Sequence, residues 1–479
     1  MNQKEDILFR FKDVEFVYAL RQLKQPFSLE MLKGECWLVY GENGSGKTSL
    51  AQAIFGNYTV QSGLREYGFE ENFHHIYNAS IQYITYQDQF SERFTGTFYQ
   101  SRWNKGVMSE YSPVVGEDLK IASHFVDPKI IDLLGMSDLF DREIVSLSSG
   151  EYRRYQLARF ILRNPRLLIV ENPYIGLDAA NRKQVAQFFE LMVKRTDISL
   201  ILISSRLEED RNIFSHVVRM ADGVPVKLPA TKEVFKSLED MILAPRMFYE
   251  LPKVGAIPFN NEIISLRNVT VRYDSNVLLR NLTWTVRRGE KWALVGPNGS
   301  GKSTLLSLIY ADNPQGYACD ITLFGRRRGT GESIWDIKKN IGYCSPELYE
   351  AYRKPHPVRS ILASGLYDTV GIHRRFSQED YDKVEYWARL FEIEDLLRND
   401  YQAISEGEQR MVLLARAFVK DPDLLILDEP FHGLDDYHRQ MSKQIIQAYA
   451  ERPGKTLIMV SHYEDEFPQC ITNKLELSK

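Results

Sequence analysis

Cysteine is scarce in this sequence, which has only four cysteines among 479 residues and no C-x-x-C pair. Structural zinc sites and disulfide frameworks both need several cysteines at short, regular spacings. We therefore expect reduced, unpaired thiols, as in a reducing compartment. His74 and His75 form an isolated pair with no other histidine or cysteine beside them, so we expect no metal site there.

Long hydrophobic runs and a secretory leader are also absent from the sequence. No stretch approaches the roughly 18 consecutive apolar residues that a membrane-spanning helix needs. The first residues, MNQKEDILFRFKDVEF, lack the apolar core of a signal peptide. These features predict a cytoplasmic protein, and any association with the inner face of the cell membrane would be peripheral.

The sequence lacks a large excess of charge of either sign: 60 Lys+Arg residues stand against 64 Asp+Glu residues, which gives a net charge of −4. Proteins that bind nucleic acid usually carry a basic excess or a basic stripe, so the composition gives no strong nucleic-acid signature. We interpret the basic run at 326–328 as a solvated turn. The chain is long, and 44% of its 479 residues are hydrophobic. This length and composition predict two or more packed domains.

Glycine-rich segments occur twice in equivalent surroundings. Residues 41–48 read GENGSGKT and residues 296–303 read GPNGSGKS, and both fit G-x-x-x-x-G-K-[ST]. Each segment follows a short apolar run, WLVY or WALV, and leads into a segment with helical apolar periodicity. A strand, a glycine loop and a helix in this order predict a phosphate-binding loop, or P-loop.

The repeat extends well beyond the P-loops, at an offset of 255 to 257 residues. The other repeated pairs are LSSGE (147–151) with ISEGE (404–408), LLIVENP (167–173) with LLILDEP (424–430), and ILISSR (201–206) with IMVSHY (458–463). Alternating strand and helix patterns predict α/β domains with mainly parallel sheets. The sequence therefore predicts two homologous domains, residues 1–228 and 263–479, joined by a short helical and irregular linker at 229–262.

The P-loops supply candidate phosphate and metal ligands. Their backbone N–H groups and the N-terminus of the following helix attract phosphate oxygens. Lys47 and Lys302 would reach the outer phosphates, and Thr48 and Ser303 would bind Mg²⁺. The candidate binding residues of the two loops are Gly41, Asn43, Gly44, Ser45, Gly46, Lys47, Thr48 and Ser49, and Gly296, Asn298, Gly299, Ser300, Gly301, Lys302, Ser303 and Thr304.

The LSSGE and ISEGE segments admit two interpretations. Ser148 with Glu151, and Ser405 with Glu408, have the spacing of capping boxes that begin helices. The start of such a helix, with a glycine in its first turn, is also an anion site. The residues alone favour neither interpretation over the other.

The motif order resembles that of the ATP-binding cassette (ABC) family, and it occurs twice. A P-loop is followed by an LSGGQ-like signature, by an LLILDEP-type Walker B motif with GLD, and in the second copy by Ser461 and His462. The resemblance covers nearly the whole chain. It implies two P-loop NTPase domains, each with a mainly parallel sheet and an α-helical signature subdomain, that bind ATP and Mg²⁺ and hydrolyse ATP.

The resemblance also implies how the sites are assembled. In the ABC family two cassettes face each other head to tail, with each ATP between one P-loop and the opposite signature. Ser148 and Gly150 would then contact the ATP on the second P-loop, and Ser405 and Gly407 the ATP on the first. The short linker favours pairing of the cassettes within one chain.

Catalytic roles follow from the same resemblance. In the second copy Asp428 would hold Mg²⁺ through water, Glu429 would polarise the attacking water, and His462 would contact the γ-phosphate. Lys302 completes this catalytic set from the P-loop.

The first copy departs from the family pattern at the acidic positions. Glu171 keeps a carboxylate for the metal, one methylene longer than Asp428. Asn172 cannot accept a proton, and Ser205 stands where the histidine would be. Loss of a general base typically costs about 10²–10⁴ in rate. The sequence therefore predicts one competent composite site, at the second P-loop, and one degenerate site that binds ATP and turns over slowly or not at all.

The resemblance also assigns an aromatic position and a glutamine position in each copy. Tyr18 and Tyr273, each 23 residues before its P-loop, would stack on adenine. The family glutamine that approaches the metal is replaced by Glu347 in the second copy, which puts the family role in doubt there. In the first copy Gln87 is our assignment, with Gln89 as the alternative.

The sequence contains ATPase motifs but no membrane domain. Residues 313–343 resemble tandem ATP-binding proteins of the ModF type, a group associated with molybdate transport. This resemblance implies the peripheral ATPase of a transport system with a separate integral-membrane permease. The alternative is an ATPase without a permease, acting in regulation, repair or translation. However, ABC-F translation factors have a long charged linker and two intact sites, and we find no heptads like those of the Rad-like repair ATPases.

Overall fold

The structure, a computed structural model of the 479-residue chain, divides into two compact units, Met1–Ile242 and Leu243–Lys479. Each unit contains one large sheet, one small antiparallel sheet and a set of helices. The structure describes residues 6–17, 23–69, 80–85, 113–123, 126–144, 147, 149–174, 177, 179–207, 211–242, 251–252, 262–273, 276–297, 299–352, 355–369 and 375–478.

The first unit is built around a six-stranded sheet. Its strands are β1 Ile7–Phe16, β2 Phe27–Leu32, β3 Cys36–Tyr40, β4 Val60–Tyr67, β5 Ile81–Ile84, β6 Leu167–Glu171, β7 Ser199–Ser204, β8 His216–Ala221 and β9 Val224–Pro229. The large sheet has the order β5-β6-β7-β3-β8-β9 and is parallel except for the pairing of β9 with β8. The small sheet, β2-β1-β4, is antiparallel. Strands β3 and β7 are buried along their whole length, as expected for parallel strands covered on both faces.

The helices of the first unit extend it beyond the boundary that the sequence predicts. They are α1 Lys47–Phe55, α2 Val115–Ala122, α3 Pro128–Leu133, α4 Ser149–Ile161, α5 Ala179–Arg195 and α6 Lys232–Ile242. Helix α6 contributes Phe235 and Leu238 to the buried core of this unit. The first unit therefore continues past residue 228 to Ile242, because an amphipathic helix buries its apolar side on the core.

The second unit repeats the plan of the first. Its strands are β10 Glu262–Tyr273, β11 Asn276–Arg287, β12 Lys291–Val295, β13 Asp320–Leu323, β14 Arg326–Arg327, β15 Ile341–Cys344, β16 Leu424–Asp428, β17 Thr456–Val460 and β18 Asn473–Glu476. The large sheet has the order β15-β16-β17-β12-β18, and its pairings are parallel. The small sheet, β11-β10-β13-β14, is antiparallel. The interpretation of residues 326–328 as a solvated turn is wrong in part, because Arg326 and Arg327 form β14 and Arg328 is buried. The predicted α/β class with mainly parallel sheets is confirmed.

The helices of the second unit contribute to an apolar core that they share with one face of the large sheet. The helices of the unit are α7 Lys302–Ile309, α8 Ile334–Lys338, α9 Pro346–Ala351, α10 Val358–Ser364, α11 Gln378–Leu390, α12 Glu406–Phe418 and α13 Asp436–Glu451. Trp387 on α11 and Phe418 on α12 are buried, with ring centroids 5.3 Å apart. Because α12 begins at the ISEGE motif, the predicted α-helical signature subdomain is confirmed here. Among the helices that the structure describes, none combines the length and apolar character needed to cross a membrane.

Candidate functional site

The second P-loop connects strand β12 with helix α7, and the first connects β3 with α1. A Cβ atom at Gly296 (φ 149°) would lie 2.4 Å from the carbonyl oxygen of Leu477. One at Gly301 (φ 92°) would lie 2.8 Å from the carbonyl oxygen of Leu278. Both positions require glycine, because a side chain would collide with backbone atoms there and left-handed φ values disfavour it. The predicted order of strand, loop and helix is confirmed in both units.

The P-loop lysines lie inside their loops. The ammonium group of Lys302 donates hydrogen bonds to the carbonyl oxygens of Gly296 and Pro297, at 2.7 and 3.0 Å. Lys47 makes an equivalent pair of bonds, at 2.6 and 2.7 Å. Both lysines are buried, so each loop encloses a positive charge that attracts anionic oxygens.

Equivalent serines in the two P-loops provide a second sign of an anion site. Of the residues that the structure describes, Ser45 and Ser300 are among those with a buried side-chain oxygen that makes no hydrogen bond. An unsatisfied buried hydroxyl typically costs about 1–3 kcal/mol. A phosphate oxygen in the loop would accept a hydrogen bond from each hydroxyl, so the loops fit the phosphate groups of a nucleotide.

The acidic pair of the second unit lies at the carboxyl end of β16, beside the P-loop. Ser303 Oγ donates a hydrogen bond to Asp428 Oδ2 at 3.4 Å. A hydroxyl and a carboxylate are hard oxygen ligands that suit Mg²⁺, which also keeps several waters and binds substrate phosphates. These two side chains therefore fit the magnesium ion that a P-loop implies. Within the described residues no group of three or more His, Cys, Asp or Glu side chains forms a separate metal site.

Glu429 follows Asp428 in a left-handed turn with φ of 51°. Its backbone N–H donates to the carbonyl oxygen of Val460 at 3.1 Å. Its Oε1 atom lies 3.5 Å from His462 Nε2. Burial raises the pKa of the Glu429 carboxyl, and the neighbouring carboxylates of Asp428 and Glu466 raise it further. A raised pKa suits a carboxylate that acts as a general base near neutral pH.

The first unit has the same turn with different side chains. Asn172 has φ of 48°, and its backbone N–H donates to strand β7 at 2.8 Å, just as Glu429 donates to β17. Ser205, at the position equivalent to His462, donates from Oγ to Asn43 Oδ1 at 3.2 Å. The first unit therefore reproduces the backbone of the second site but not its acid–base groups.

Glu171 ends strand β6 and is held by two hydroxyl groups. Thr48 Oγ1 donates to its Oε1 atom at 2.5 Å, and the hydroxyl of Tyr83 donates to its Oε2 atom at 2.6 Å. Burial raises the pKa of Tyr83, and the negative charge of Glu171 raises it further, so the phenol stays protonated and donates. Motif reasoning misses Tyr83. The available signal was its recurrence in IQY and IGY, which places Tyr343 at the same position of β15.

Arg153 is a second residue that motif reasoning misses. It lies on α4, directly after the signature, and is buried. Its Nη2 atom donates to the carbonyl oxygens of Glu171 and Asn172, at 2.8 and 3.0 Å. This guanidinium therefore connects the helix that follows the signature to the turn at Glu171 and Asn172. Its counterpart in the second unit is Arg410, whose Nη2 atom lies 3.3 Å from Glu406 Oε1 in an ion pair.

The signature of the second unit begins α12 with a capping box. The hydroxyl of Ser405 accepts from the Glu408 N–H at 3.4 Å, and the Glu408 carboxylate accepts from the Ser405 N–H at 2.7 Å. Gly407 is buried in the first turn. In the first unit Gly150 lies in the first turn of α4, while Ser148 lies outside the described residues. The capping interpretation is confirmed at Ser405, and the contacts of both signatures with ATP stay predictions.

Tyr273 ends β10 and pairs with Asn276 across the turn to β11. Its hydroxyl accepts a hydrogen bond from Asn313 Nδ2 at 3.0 Å, and its side chain packs against the core. Leu278, near the start of β11, approaches the P-loop at Gly301. The tyrosine therefore lies on a hairpin that flanks the loop, and its stacking on adenine stays a prediction.

Several predicted residues lie outside the described part of the chain. Besides Ser148, these are Tyr18, Asn298, and Gln87 with its alternative Gln89. Glu347 lies on helix α9, but its side chain is outside the described part. The roles assigned to all of these residues stay predictions.

Two P-loops on parallel sheets, each with an acidic residue at the end of another strand of the same sheet, define a tandem nucleotide-binding protein of the P-loop NTPase class. The model of the ABC transporter family matches residues 24–174 and 279–432. The chain therefore belongs to the ABC transporter family, as the motif order predicted.

Curated relatives match almost the whole chain over almost their whole length. The chain is 35% identical to the ABC transporter ATP-binding protein ModF of Escherichia coli (strain K12), covering 98% of this chain and 95% of the relative. It is 28% identical to an uncharacterized ABC transporter ATP-binding protein of Schizosaccharomyces pombe, covering 98% of this chain and 97% of the relative.

Solved structures with two cassettes have the same fold. An archaeal ribosome recycling factor, in complex with a ribosomal stalk protein, matches with a TM-score of 0.57 and 19% identity, over 96% of this chain and 85% of that chain. An RNase-L inhibitor matches with a TM-score of 0.54 and 20% identity, over 94% of this chain and 85% of that chain. At these identities the likeness concerns the fold alone.

Proposed function

We propose that this chain is a magnesium-dependent ATPase with one hydrolytic and one non-hydrolytic nucleotide site. The observation that carries the proposal is the contrast at the left-handed turn after the Walker B strand. In the second unit this turn carries Glu429, 3.5 Å from His462. In the first unit the same turn carries Asn172, with Ser205 at the histidine position. Neither of these two side chains can take the proton from an attacking water at neutral pH.

The second site contains a group for each requirement of phosphoryl transfer. Lys302 would neutralise the outer phosphates, and Ser303 with Asp428 would hold Mg²⁺, which spreads the charge that develops on the phosphate oxygens. Glu429 would orient and deprotonate the water, and His462 would contact the γ-phosphate. The buried carboxylate acts in a low-dielectric environment, where such electrostatic contributions are strongest.

Retained nucleotide provides the test of the two-site proposal. After incubation with Mg-ATP and rapid removal of free nucleotide, we expect intact ATP at the first site and ADP at the second. The Lys302→Ala variant should keep the bound ATP and lose hydrolysis, whereas Lys47→Ala should lose the retained ATP. Chromatography of the released nucleotides measures both species. Retention of ADP alone by the wild-type chain would contradict a non-hydrolytic first site.

We further propose that the ATPase works as the peripheral subunit of a transport system with a separate membrane permease. The relative from Escherichia coli carries ABC transporter in its name and matches almost the entire chain. Molybdate, the solute associated with the ModF type, is the first cargo to test. The proposed location is the cytoplasmic face of the membrane.

Capture of a closed, ATP-bound form tests the transport proposal. We would add Mg-ATP to a native lysate that contains tagged Glu429→Gln chain, purify the chain and identify bound proteins by mass spectrometry. The matched control is Lys302→Ala, which lacks the phosphate-binding ammonium group at the same site. An integral-membrane permease bound to Glu429→Gln and absent from the control is the expected result. Ribosomal proteins, or no bound protein, would favour an ATPase without a permease.

A further inference from the structure

The segment Asn-Pro-Gln at 313–315 follows the P-loop helix α7 and has no part in the proposed chemistry. Asn313 is only 5% exposed. Its Oδ1 atom accepts the backbone N–H of Gln315 at 3.0 Å. Since a backbone N–H can only donate, the amide nitrogen must face the other way. There Nδ2 donates to the hydroxyl of Tyr273 at 3.0 Å and to Ser307 Oγ at 3.2 Å, so both of its hydrogens are used.

Gln315 holds the backbone beside the same tyrosine. Its Nε2 atom donates to the carbonyl oxygen of Arg272 at 2.8 Å, and its Oε1 atom accepts the N–H of Arg272 at 3.3 Å. A side-chain amide that pairs with both polar groups of one residue imitates the pairing of a neighbouring strand. The end of β10, directly before Tyr273, is therefore fixed by this segment.

The contacts of Asn313 join two parts of the nucleotide site. Ser307 lies one helical turn beyond Ser303, which is about 6 Å along the axis of α7. Tyr273 lies on the hairpin that flanks the P-loop at Gly301. One buried amide thus links the helix that begins at the phosphate-binding loop to the ring on the neighbouring hairpin.

We propose that Asn313 and Gln315 are positioning residues for the nucleotide base, because they hold the Tyr273 ring at a fixed distance from the P-loop. The inference rests on the proposed function, since it needs a nucleotide on the second P-loop with its base against Tyr273. A ring that is already held in its bound orientation loses less conformational freedom on binding than a ring that is free. A ligand with phosphates but no base makes no use of the ring.

The test compares ATP with inorganic tripolyphosphate, which has no base. Both ligands would be titrated by calorimetry into the full chain carrying Lys47→Ala and Glu429→Gln, so that binding reports the second P-loop without hydrolysis. Asn313→Ala removes the amide, and Tyr273→Phe keeps the ring and removes its hydroxyl. The matched control is Asn340→Ala, because the amide of Asn340 bonds locally to the carbonyl oxygen of Asp336 at 3.1 Å.

Base stacking contributes about 5- to 150-fold in affinity, so partial loss of orientation should lower ATP affinity about 3- to 10-fold. We expect this loss for Asn313→Ala and for Tyr273→Phe. The affinity of both variants for tripolyphosphate should stay unchanged, and so should the ATP affinity of the Asn340→Ala control. The double variant should lose no more than either single variant, because both remove one shared hydrogen bond.

Three results would overturn the inference. Asn313→Ala could leave ATP affinity unchanged, it could weaken ATP and tripolyphosphate equally, or its effect could add to that of Tyr273→Phe. An equal loss for both ligands would mean that the amide supports the P-loop helix and not the base. Failure of the proposed function is distinct from these results, because the parent chain itself would then not bind ATP.

Discussion

Glutamine in place of Glu429 should lower steady-state ATP hydrolysis by about 10²–10⁴-fold, the typical contribution of a positioned general base. Glutamine keeps the length of the side chain but cannot accept a proton from water. The carboxylate that it replaces is mostly buried and lies 3.5 Å from His462 Nε2. Phosphate release at saturating Mg-ATP measures the loss. ATP affinity, measured separately, should change little because the P-loop contacts are untouched.

The control for this prediction is the equivalent position of the first unit. Asn172→Gly keeps a residue that tolerates a positive φ and removes the amide side chain. Because that amide is not a base, hydrolysis should stay close to the wild-type rate. Wild-type hydrolysis by Glu429→Gln would show that another group activates the water. Loss of hydrolysis in Asn172→Gly would assign the first site a larger part than we propose.

The backbone at these two positions suits asparagine better than glutamate. Glu429 has φ of 51° and Asn172 has φ of 48°. The left-handed conformation costs roughly 1–2 kcal/mol for most residues, and asparagine adopts it more readily. The second unit therefore keeps an unfavourable residue where the proposed hydrolysis needs a carboxylate, as is common at functional sites. The first unit has the residue that the backbone itself prefers.

The sequence predicts those parts of the structure that depend on neighbouring residues. The P-loops are specified by glycines at fixed spacing, such as Gly296 and Gly301, whose backbone leaves no room for a side chain. The central strands are predicted because short apolar runs such as LLILD are typical of buried parallel strands. The capping box at Ser405 is equally local. Its serine and glutamate are three residues apart.

The parts that the sequence does not reveal depend on contacts between distant residues. The small antiparallel sheets need pairings such as Ile264 with Leu323, and alternation alone does not say which strands pair. Tyr83 reaches Glu171 across 88 positions of the chain. Asn313 belongs to no sequence motif. Its link between α7 and the hairpin becomes visible only from its contacts with Ser307 and Tyr273.

Alanine in place of Trp387 should lower the free energy of unfolding of the second unit by about 3–5 kcal/mol. The indole is 2% exposed and packs against the rings of Phe391 and Phe418, with centroid distances of 6.5 and 5.3 Å. Its removal leaves a cavity in a close-packed core, and the cost adds lost burial to lost contacts. Chemical denaturation followed by circular dichroism measures the change.

Trp335→Ala is the matched control, because this tryptophan belongs to the same unit but is 51% exposed. Surface substitutions usually change stability by less than about 0.5 kcal/mol. An equal effect of both variants would contradict the assignment of Trp387 to the core. Phe418, the neighbour of Trp387, ends the helix α12 that begins at the signature residue Ser405. A cavity at Trp387 should therefore loosen the signature helix and slow hydrolysis even where the unit stays folded.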